Sequence, residues 1–257
     1  MTTEADVTAR QSRILQMVRE GGYVTLEALA GATGVSTQSV RRDILALSKS
    51  GLLRRFHGGA GSLVESRRPA YAEKRIRAAG EKNRIAAVVA ATLPEGATIF
   101  LDVGTTCEAL ARQIVQRDMG LRIVTASLAV ASILCGRPGI ELNILGGIVR
   151  TPDGAITGSP ALSALSELRL DLAIIAFSGF DDDAAPMDFD IEKVSVKRRA
   201  IERSDRSVLV GDAGKFQRRA VHRIRPISAF ATLFSDAQPQ AAQMEVLRAE
   251  GVALAIA

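Results

Sequence analysis

The residues best suited to chemistry lie in the stretch Asp102-Val103-Gly104-Thr105-Thr106. An apolar run over 97–102 ends at Asp102, and a helical pattern starts directly after the glycine. A strand that turns into a helix through glycine gathers bare backbone, hydroxyls and uncapped N–H groups at one point, where the helix dipole favours an anion. The same residues also fit an ordinary strand-to-helix turn in which Thr105 is only a cap. Other strand ends favour the binding reading. Thr125 and Ser127 close one apolar run and open a helix, and Gly146-Gly147 close another with exposed backbone. Asp212 to Lys215 close a third and add a cation. In open α/β sheets ligands bind outside the carboxyl ends of the strands. Lysine, hydroxyls, bare backbone and a carboxylate together suit a phosphorylated polyol. Lys215 and the threonines would hold the phosphate, and Asp102 would accept from hydroxyls.

Catalysis is the rival use of such a site. Sugar-phosphate isomerisation needs a general base above the carbon that loses its proton. Asp181, Asp182 and Asp183 are the candidates, but three adjacent aspartates before Ala-Ala-Pro fit a solvated acidic loop better. Cys107 has no histidine near it in sequence and reads as a packed thiol; the chain's two histidines are His57 and His222. The two cysteines have no metal-ligand spacing. The expectation is no catalytic residue, no metal, no cofactor and no enzyme. A body that only assembles the protein is a third reading.

Those strand ends require a scaffold that brings them to one edge. Short apolar runs occur at 97–102, 121–125, 140–145, 171–177, 207–211 and 229–234, with helical patterns over 81–93, 105–117, 127–135, 159–169, 190–204 and 239–250. Strands alternating with helices imply a mostly parallel sheet. Near-continuous apolar strands imply one covered on both faces. Hydrophobic residues make up 47% of the chain and aromatics 4%, with no tryptophan, so the core must be aliphatic.

The first third reads differently. Ile14, Leu15, Met17 and Val18 share a helical face that Gly21-Gly22 ends. Thr25 caps a second helix that Gly34 stops, and Ser36 caps a third with Val40, Ile44 and Leu47 inward and Gly51 as its stop. A hairpin around Gly58-Gly59 follows. Three short helices and a hairpin make a winged helix-turn-helix over 1–61, followed by a linker at 62–80 that contains Pro69, and an effector-binding and oligomerisation domain over 81–257. Residues 1–80 hold 13 Lys/Arg against 7 Asp/Glu, and the remainder 20 against 21. All the excess positive charge therefore sits in the first third, as expected of a DNA-binding head. The start of a recognition helix enters the major groove. That places Ser36, Thr37, Gln38, Ser39, Arg41 and Arg42 at double-stranded DNA, with Arg54, Arg55 and His57 of the hairpin gripping the flanks. Asp43 would pair with an arginine or cap locally. No apolar run is long enough for a membrane span and the start of the chain lacks a signal-peptide pattern, so a cytoplasmic protein is expected.

These residues carry a resemblance. Val35-Ser36, Arg41-Arg42-Asp43-Ile44 and Arg55-Phe56-His57-Gly58-Gly59-Ala60 resemble the head of the DeoR family of bacterial transcriptional regulators. The stretches at 102–111, 125–131, 145–147, 171–173, 196–198 and 212–216 are similar to its sensor domain. The resemblance implies a ribose-5-phosphate-isomerase-like α/β fold, a phosphorylated sugar or related effector, a homo-oligomer (dimer or tetramer) and an operator under repression. It also adds Lys197 to the effector contacts. The chain has Ser39-Val40 where the family usually has Thr-Ile, Ala126 where it has Asn, and Gly214 where it has Ser. The stretch 187–197 looks most like the glycerol-3-phosphate-responsive branch.

Overall fold

A computed structural model of the chain describes residues 8–21, 23–56, 58–61 and 71–257. The chain forms two compact units that divide between Arg77 and Ala78.

The first unit contains α1 (Ala9–Gly21), β1 (Tyr23–Thr25), α2 (Leu26–Thr33), α3 (Thr37–Lys49), β2 (Arg54–Phe56), β3 (Gly59–Gly61) and α4 (Tyr71–Ile76). Thr25 caps α2 by accepting from the backbone N–H of Ala28, and Gly34 ends that helix in the left-handed region at φ 67. Ser36 caps α3 by accepting from the N–H of Ser39. These caps fix the tight turn between α2 and α3. Ile14, Val18, Leu29, Val40, Ile44 and Leu47 are buried together, each burial stabilising by about 1.5–3 kcal/mol. The carboxylate of Asp43 accepts from Arg10 Nε at 2.6 Å, from Arg10 Nη2 at 3.1 Å and from Gln11 Nε2 at 3.3 Å, and so ties α3 to α1. The short strand β1 has no counterpart in the sequence reading. It pairs with β3, making the wing a sheet in the order β1-β3-β2. Of the stretch read as linker, 62–70 lies outside the described residues, whereas 71–76 is the helix α4, lying against β1.

The second unit runs α5 (Ala79–Ala90), β4 (Thr98–Leu101), α6 (Thr105–Arg117), β5 (Leu121–Thr125), α7 (Leu128–Leu134), β6 (Ile140–Ile144), β7 (Ile148–Arg150), β8 (Ala155–Thr157), α8 (Ser159–Ser166), β9 (Leu170–Ala176), β10 (Gly179–Phe180), β11 (Pro186–Asp188), α9 (Ile191–Glu202), β12 (Ser204–Val210), β13 (His222–Arg223), β14 (Thr232–Ser235), α10 (Ala241–Ala249) and β15 (Ala253–Ile256). Seven strands form one parallel sheet in the order β15-β14-β12-β9-β4-β5-β6. Successive residues of a strand face opposite sides, so the apolar runs feed two cores. Ile99 and Leu101 pack with Val89, Leu110 and Val130 of α5, α6 and α7. Phe100 packs on the other side, in the core that holds Leu165, Val194 and Leu247 of α8, α9 and α10.

The chain order reverses at one place in this sheet. From β4 it steps to β5 and β6 on one side, and from β9 to β12, β14 and β15 on the other. The carboxyl ends of β4 and β9 are therefore the topological switch point, where a crevice opens in such sheets. Two small sheets, β7–β8 and β10-β11-β13, and the edge strand β15 were not expected from sequence.

Candidate effector and DNA-contact sites

The sheet order places the predicted effector residues along one edge. Gly146-Gly147 follow β6, Thr125 and Ser127 sit at the end of β5, Asp102 to Thr106 follow β4, and Asp212 to Lys215 follow β12. With β9 between β4 and β12, these strands are consecutive.

Asp102 is buried at the switch point. Its Oδ2 accepts from the backbone N–H of Ala176 at 3.0 Å and from Lys197 Nζ. Lys197 also donates to the carbonyl of Ala176 at 2.7 Å and lies 3.4 Å from Asp188 Oδ2. Asp188 in turn accepts from Ser178 Oγ at 3.1 Å and from the N–H of Phe189 at 2.7 Å. Burial pushes the Asp102 carboxyl up, against the pull of Lys197. Burial also works against the Lys197 ammonium, but Asp102 and Asp188 outweigh it and hold its pKa above the ordinary lysine value. Lys197 is therefore a charged lysine clamped between two carboxylates. The sequence reading gave Lys197 to the effector and Asp102 to ligand hydroxyls; here each is already engaged by the other. Asp188, which completes this cluster, was not singled out from sequence.

Other predicted contacts split in the same way. Thr125 Oγ1 donates to the carbonyl of Leu101 at 2.6 Å, and Ser127 Oγ caps α7 by accepting from Val130 N–H at 3.2 Å. Both hydroxyls are buried and shape the edge. Gly146 and Gly147 are exposed, and a side chain at Gly147 would put Cβ 2.4 Å from the carbonyl oxygen of Thr157. Gly104 stands at φ 145 as the N-cap of α6 without a side-chain cap. A Cβ there would meet that of Ala176 at 3.2 Å. Thr105 is half-buried. Thr106 is buried, with no hydrogen-bond partner for its hydroxyl among the described residues.

Lys215 differs from Lys197. Its side chain is 14% exposed and its nearest carboxylate, Asp212, is 3.9 Å away. Its ammonium lies over the Phe177 ring, 5.1 Å from the centroid. Burial lowers its pKa more than Asp212 raises it. Lys215 and Cys107, in the first turn of α6, feel each other's field. A partly compensated cation thus stands at the end of β12, within electrostatic reach of the first turn of α6.

The groups considered for catalysis are placed otherwise. Asp181 and Asp183 meet Arg223 at 3.0 and 2.8 Å, and Asp182 meets Arg219 at 2.8 Å. The backbone N–H of Asp182, then Arg223, hold Asp181 below the usual carboxylate range. Burial pushes the Cys107 thiol up, which suppresses the thiolate. Among the described residues no group of His, Cys, Asp or Glu could hold a metal ion, and no helix is long and apolar enough to cross a membrane.

In the first unit Ser36, Thr37, Gln38, Arg41 and Arg42 are exposed at the start of α3, and Ser39 is half-buried. Ser36 Oγ is occupied as the cap and lies 3.1 Å from Ser39 Oγ. Arg55 is exposed on the wing. The side chain of Arg54 and the whole of His57 lie outside the described residues.

Comparison with known proteins agrees with both units. A family model for the DeoR C terminal sensor domain matches residues 77–237, and one for the DeoR-like helix-turn-helix domain matches 10–66. The glycerol-3-phosphate regulon repressor of Escherichia coli (strain K12) is 38% identical over 240 residues, covering 93% of this chain and 95% of that protein. The HTH-type transcriptional repressor CsqR of the same organism is 35% identical over 240 residues, covering 93% and 92%. Among solved structures, ribose 5-phosphate isomerase A from Methanocaldococcus jannaschii aligns with 55% of this chain and 56% of its own, at a TM-score of 0.41 and 13% identity. With a helix-turn-helix unit and a sensor unit that both match, this chain belongs to the DeoR family of transcriptional regulators.

Proposed function

We propose that the chain represses genes of carbohydrate or polyol metabolism and is controlled by a phosphorylated effector, glycerol 3-phosphate being the first candidate. The observation that carries the reading is Lys215: a largely buried cation at the end of β12 whose nearest carboxylate is 3.9 Å away, within electrostatic reach of Cys107 in the first turn of α6. An anion there relieves the burial cost of the ammonium and accepts from free backbone N–H groups. The effector's phosphate binds between Lys215 and Gly104-Thr105-Thr106. The relatives named glycerol-3-phosphate regulon repressor, at 38% and 37% identity, favour a three-carbon ligand.

Two or more copies act together, with α3 of each in the major groove of double-stranded DNA and half-sites about 34–36 Å apart or a multiple of it. The effector alters operator affinity by binding one state of the protein better than the other. A sensor suits this site better than an enzyme does, because the candidate bases Asp181, Asp182 and Asp183 are ion-paired to arginines and the Cys107 thiol is buried. The test is a thermal-shift screen of glycerol 3-phosphate, sugar phosphates and inorganic phosphate, followed by operator release with any compound that binds. A response to a phosphorylated compound, with changed operator affinity and no turnover, is expected. No response to any of them, with operator binding intact, refutes the effector reading.

A further inference from the structure

The parallel sheet ends in two edge strands, β6 and β15. β15 exposes Ile256 beside alanines. β6 is different. Its residues Ile140-Glu141-Leu142-Asn143-Ile144 include one charge, no lysine and no proline, so it lacks the usual devices that keep an edge strand from pairing. Ile144 is 45% exposed, and Ile148 and Val149 beyond it are 64% and 50% exposed. No other six-residue stretch of the described residues exposes three large apolar side chains.

The free edge presents its donors and acceptors in a definite order. Leu121 N–H donates to the carbonyl of Gly139 at 3.0 Å, and Leu145 N–H donates to that of Thr125 at 3.0 Å. Between these two bonds β5 and β6 run parallel in unbroken register, and every second residue of a strand turns both backbone groups to the same neighbour. Glu141 and Asn143 therefore bond to β5. Leu142 and Ile144 turn their N–H and C=O away from the sheet, where no described strand meets them. Ile140 offers its carbonyl on that side, while its N–H donates to the carbonyl of Arg137 at 3.3 Å.

We propose that β6 pairs antiparallel with β6 of a second copy of the chain, about a two-fold axis at Leu142. Such a contact needs a surface that complements itself, and β6 does so in its backbone and on both faces. The two Leu142 residues exchange both backbone bonds, and each Ile144 N–H donates to the carbonyl of the partner's Ile140. On one face Ile144 lies opposite the partner's Ile140. On the other, Glu141 is held by Arg122 Nε at 3.2 Å through one carboxylate oxygen, and the amide of the partner's Asn143 can donate to the second. An axis at Glu141 would oppose two carboxylates, and one at Asn143 would set each Glu141 against an apolar residue. The pairing rests on the reading that two or more copies act on one operator, and it names the surface that joins them.

The test uses the full chain. Ile144→Lys adds a charge to the edge and should halve the molar mass seen by light scattering, with the circular dichroism of wild type. Glu141→Cys and Asn143→Cys, each made with the exposed Cys135 replaced by serine, test the register when co-expressed. Directly opposite residues of a non-hydrogen-bonded pair have Cα atoms about 4.5 Å apart, close enough for a disulfide between copies. Either protein alone should stay uncrosslinked, because its like residues stand two positions out of line. If Ile144→Lys fails to fold, the mixed crosslink decides alone. Wild-type mass in folded Ile144→Lys, or no mixed crosslink, overturns the pairing, and an oligomeric wild type then keeps the reading of joint action. A wild-type chain that is monomeric at concentrations that saturate its operator overturns both. Crosslinking of either protein alone overturns the register about Leu142.

Discussion

Replacing Lys215 by methionine should stabilise the ligand-free protein and weaken its response to effector. The Lys215 ammonium lies over Phe177, and its stem runs beside Gly211, whose Cβ, if it had one, would lie 3.2 Å from the lysine Cδ. Methionine fills much of that space and places sulfur near the ring, a contact worth about 0.3–1.5 kcal/mol, which offsets the lost attraction of the cation for the ring. What changes is the charge. Burial lowers the Lys215 pKa more than Asp212 at 3.9 Å raises it, so the ammonium costs the folded state free energy at neutral pH. Each tenfold shift in its proton affinity is worth about 1.4 kcal/mol. A gain of about 1 kcal/mol raises Tm by about 2–4 °C in a unit of this size. A charge-assisted hydrogen bond is worth about 1.5–3 kcal/mol, so glycerol 3-phosphate should bind roughly 10- to 150-fold more weakly. The pH dependence has a definite sign. A lysine whose folded pKa is depressed gives its full contribution above its unfolded value near 10.5 and loses it as pH falls through the folded value. The Tm advantage of the variant should therefore be largest near pH 7 and narrow toward pH 10. Thermal melts with and without glycerol 3-phosphate, with calorimetry for affinity, measure all of this. A variant less stable than wild type at pH 7, or one that binds and is shifted by the ligand as strongly as wild type, refutes the reasoning.

Lys197→Met should destabilise the α/β unit by about 3–5 kcal/mol, since Asp102 and Asp188 would face each other without their shared cation. With the buried Asp102 carboxyl already pushed up, its protonation relieves the repulsion and the loss should shrink as pH falls, so urea titrations at pH 8 and pH 5 should show the smaller deficit at pH 5. Arg42→Ala should weaken operator binding and, if the side chain meets a phosphate, lower the salt slope by about 1, with glycerol 3-phosphate affinity unchanged; fluorescence anisotropy across a salt series reads both. Asp43→Ala removes an acceptor shared by Arg10 and Gln11 and should lower the stability of the first unit by about 1–3 kcal/mol, seen as an earlier melting transition that operator DNA reverses.

The large elements were legible because their residues obey simple periods. Six of the seven strands of the parallel sheet read directly as apolar runs, which burial on both faces demands of the inner strands but not of the mostly exposed edge strand β6, and Thr25, Ser36, Gly34 and Gly51 announced the ends of α2 and α3. The missing seventh, β15, consists of Ala253 to Ile256, too short and too rich in alanine to stand out from the helix before it. The hairpin β7–β8 had a turn signal in Thr151-Pro152-Asp153-Gly154, but β7 is exposed on both faces and shows no alternation. The site was legible at the level of strand ends and not at the level of partners. Asp102 and Lys197 are 95 residues apart, and the ion-paired Lys193 and Asp153 are 40 apart. No local pattern marks such pairs, because the two partners are far apart in sequence until the fold brings them together.

Those pairings assign different roles to two lysines that sequence alone treats alike. The cluster of Lys197, Asp102 and Asp188 sets one cation against two carboxyl groups in a buried setting, so the Lys197 charge is already compensated. Lys215 carries a positive charge that only Asp212, at 3.9 Å, offsets among the carboxylates near it, and Thr106 adds a hydroxyl without a hydrogen-bond partner among the described residues. On the proposed reading, the effector's phosphate would lie toward β12 and the start of α6. Lys197 is engaged by Asp102 and Asp188, and the cost that burial imposes on Lys215 is what an anionic ligand would relieve on the proposed reading.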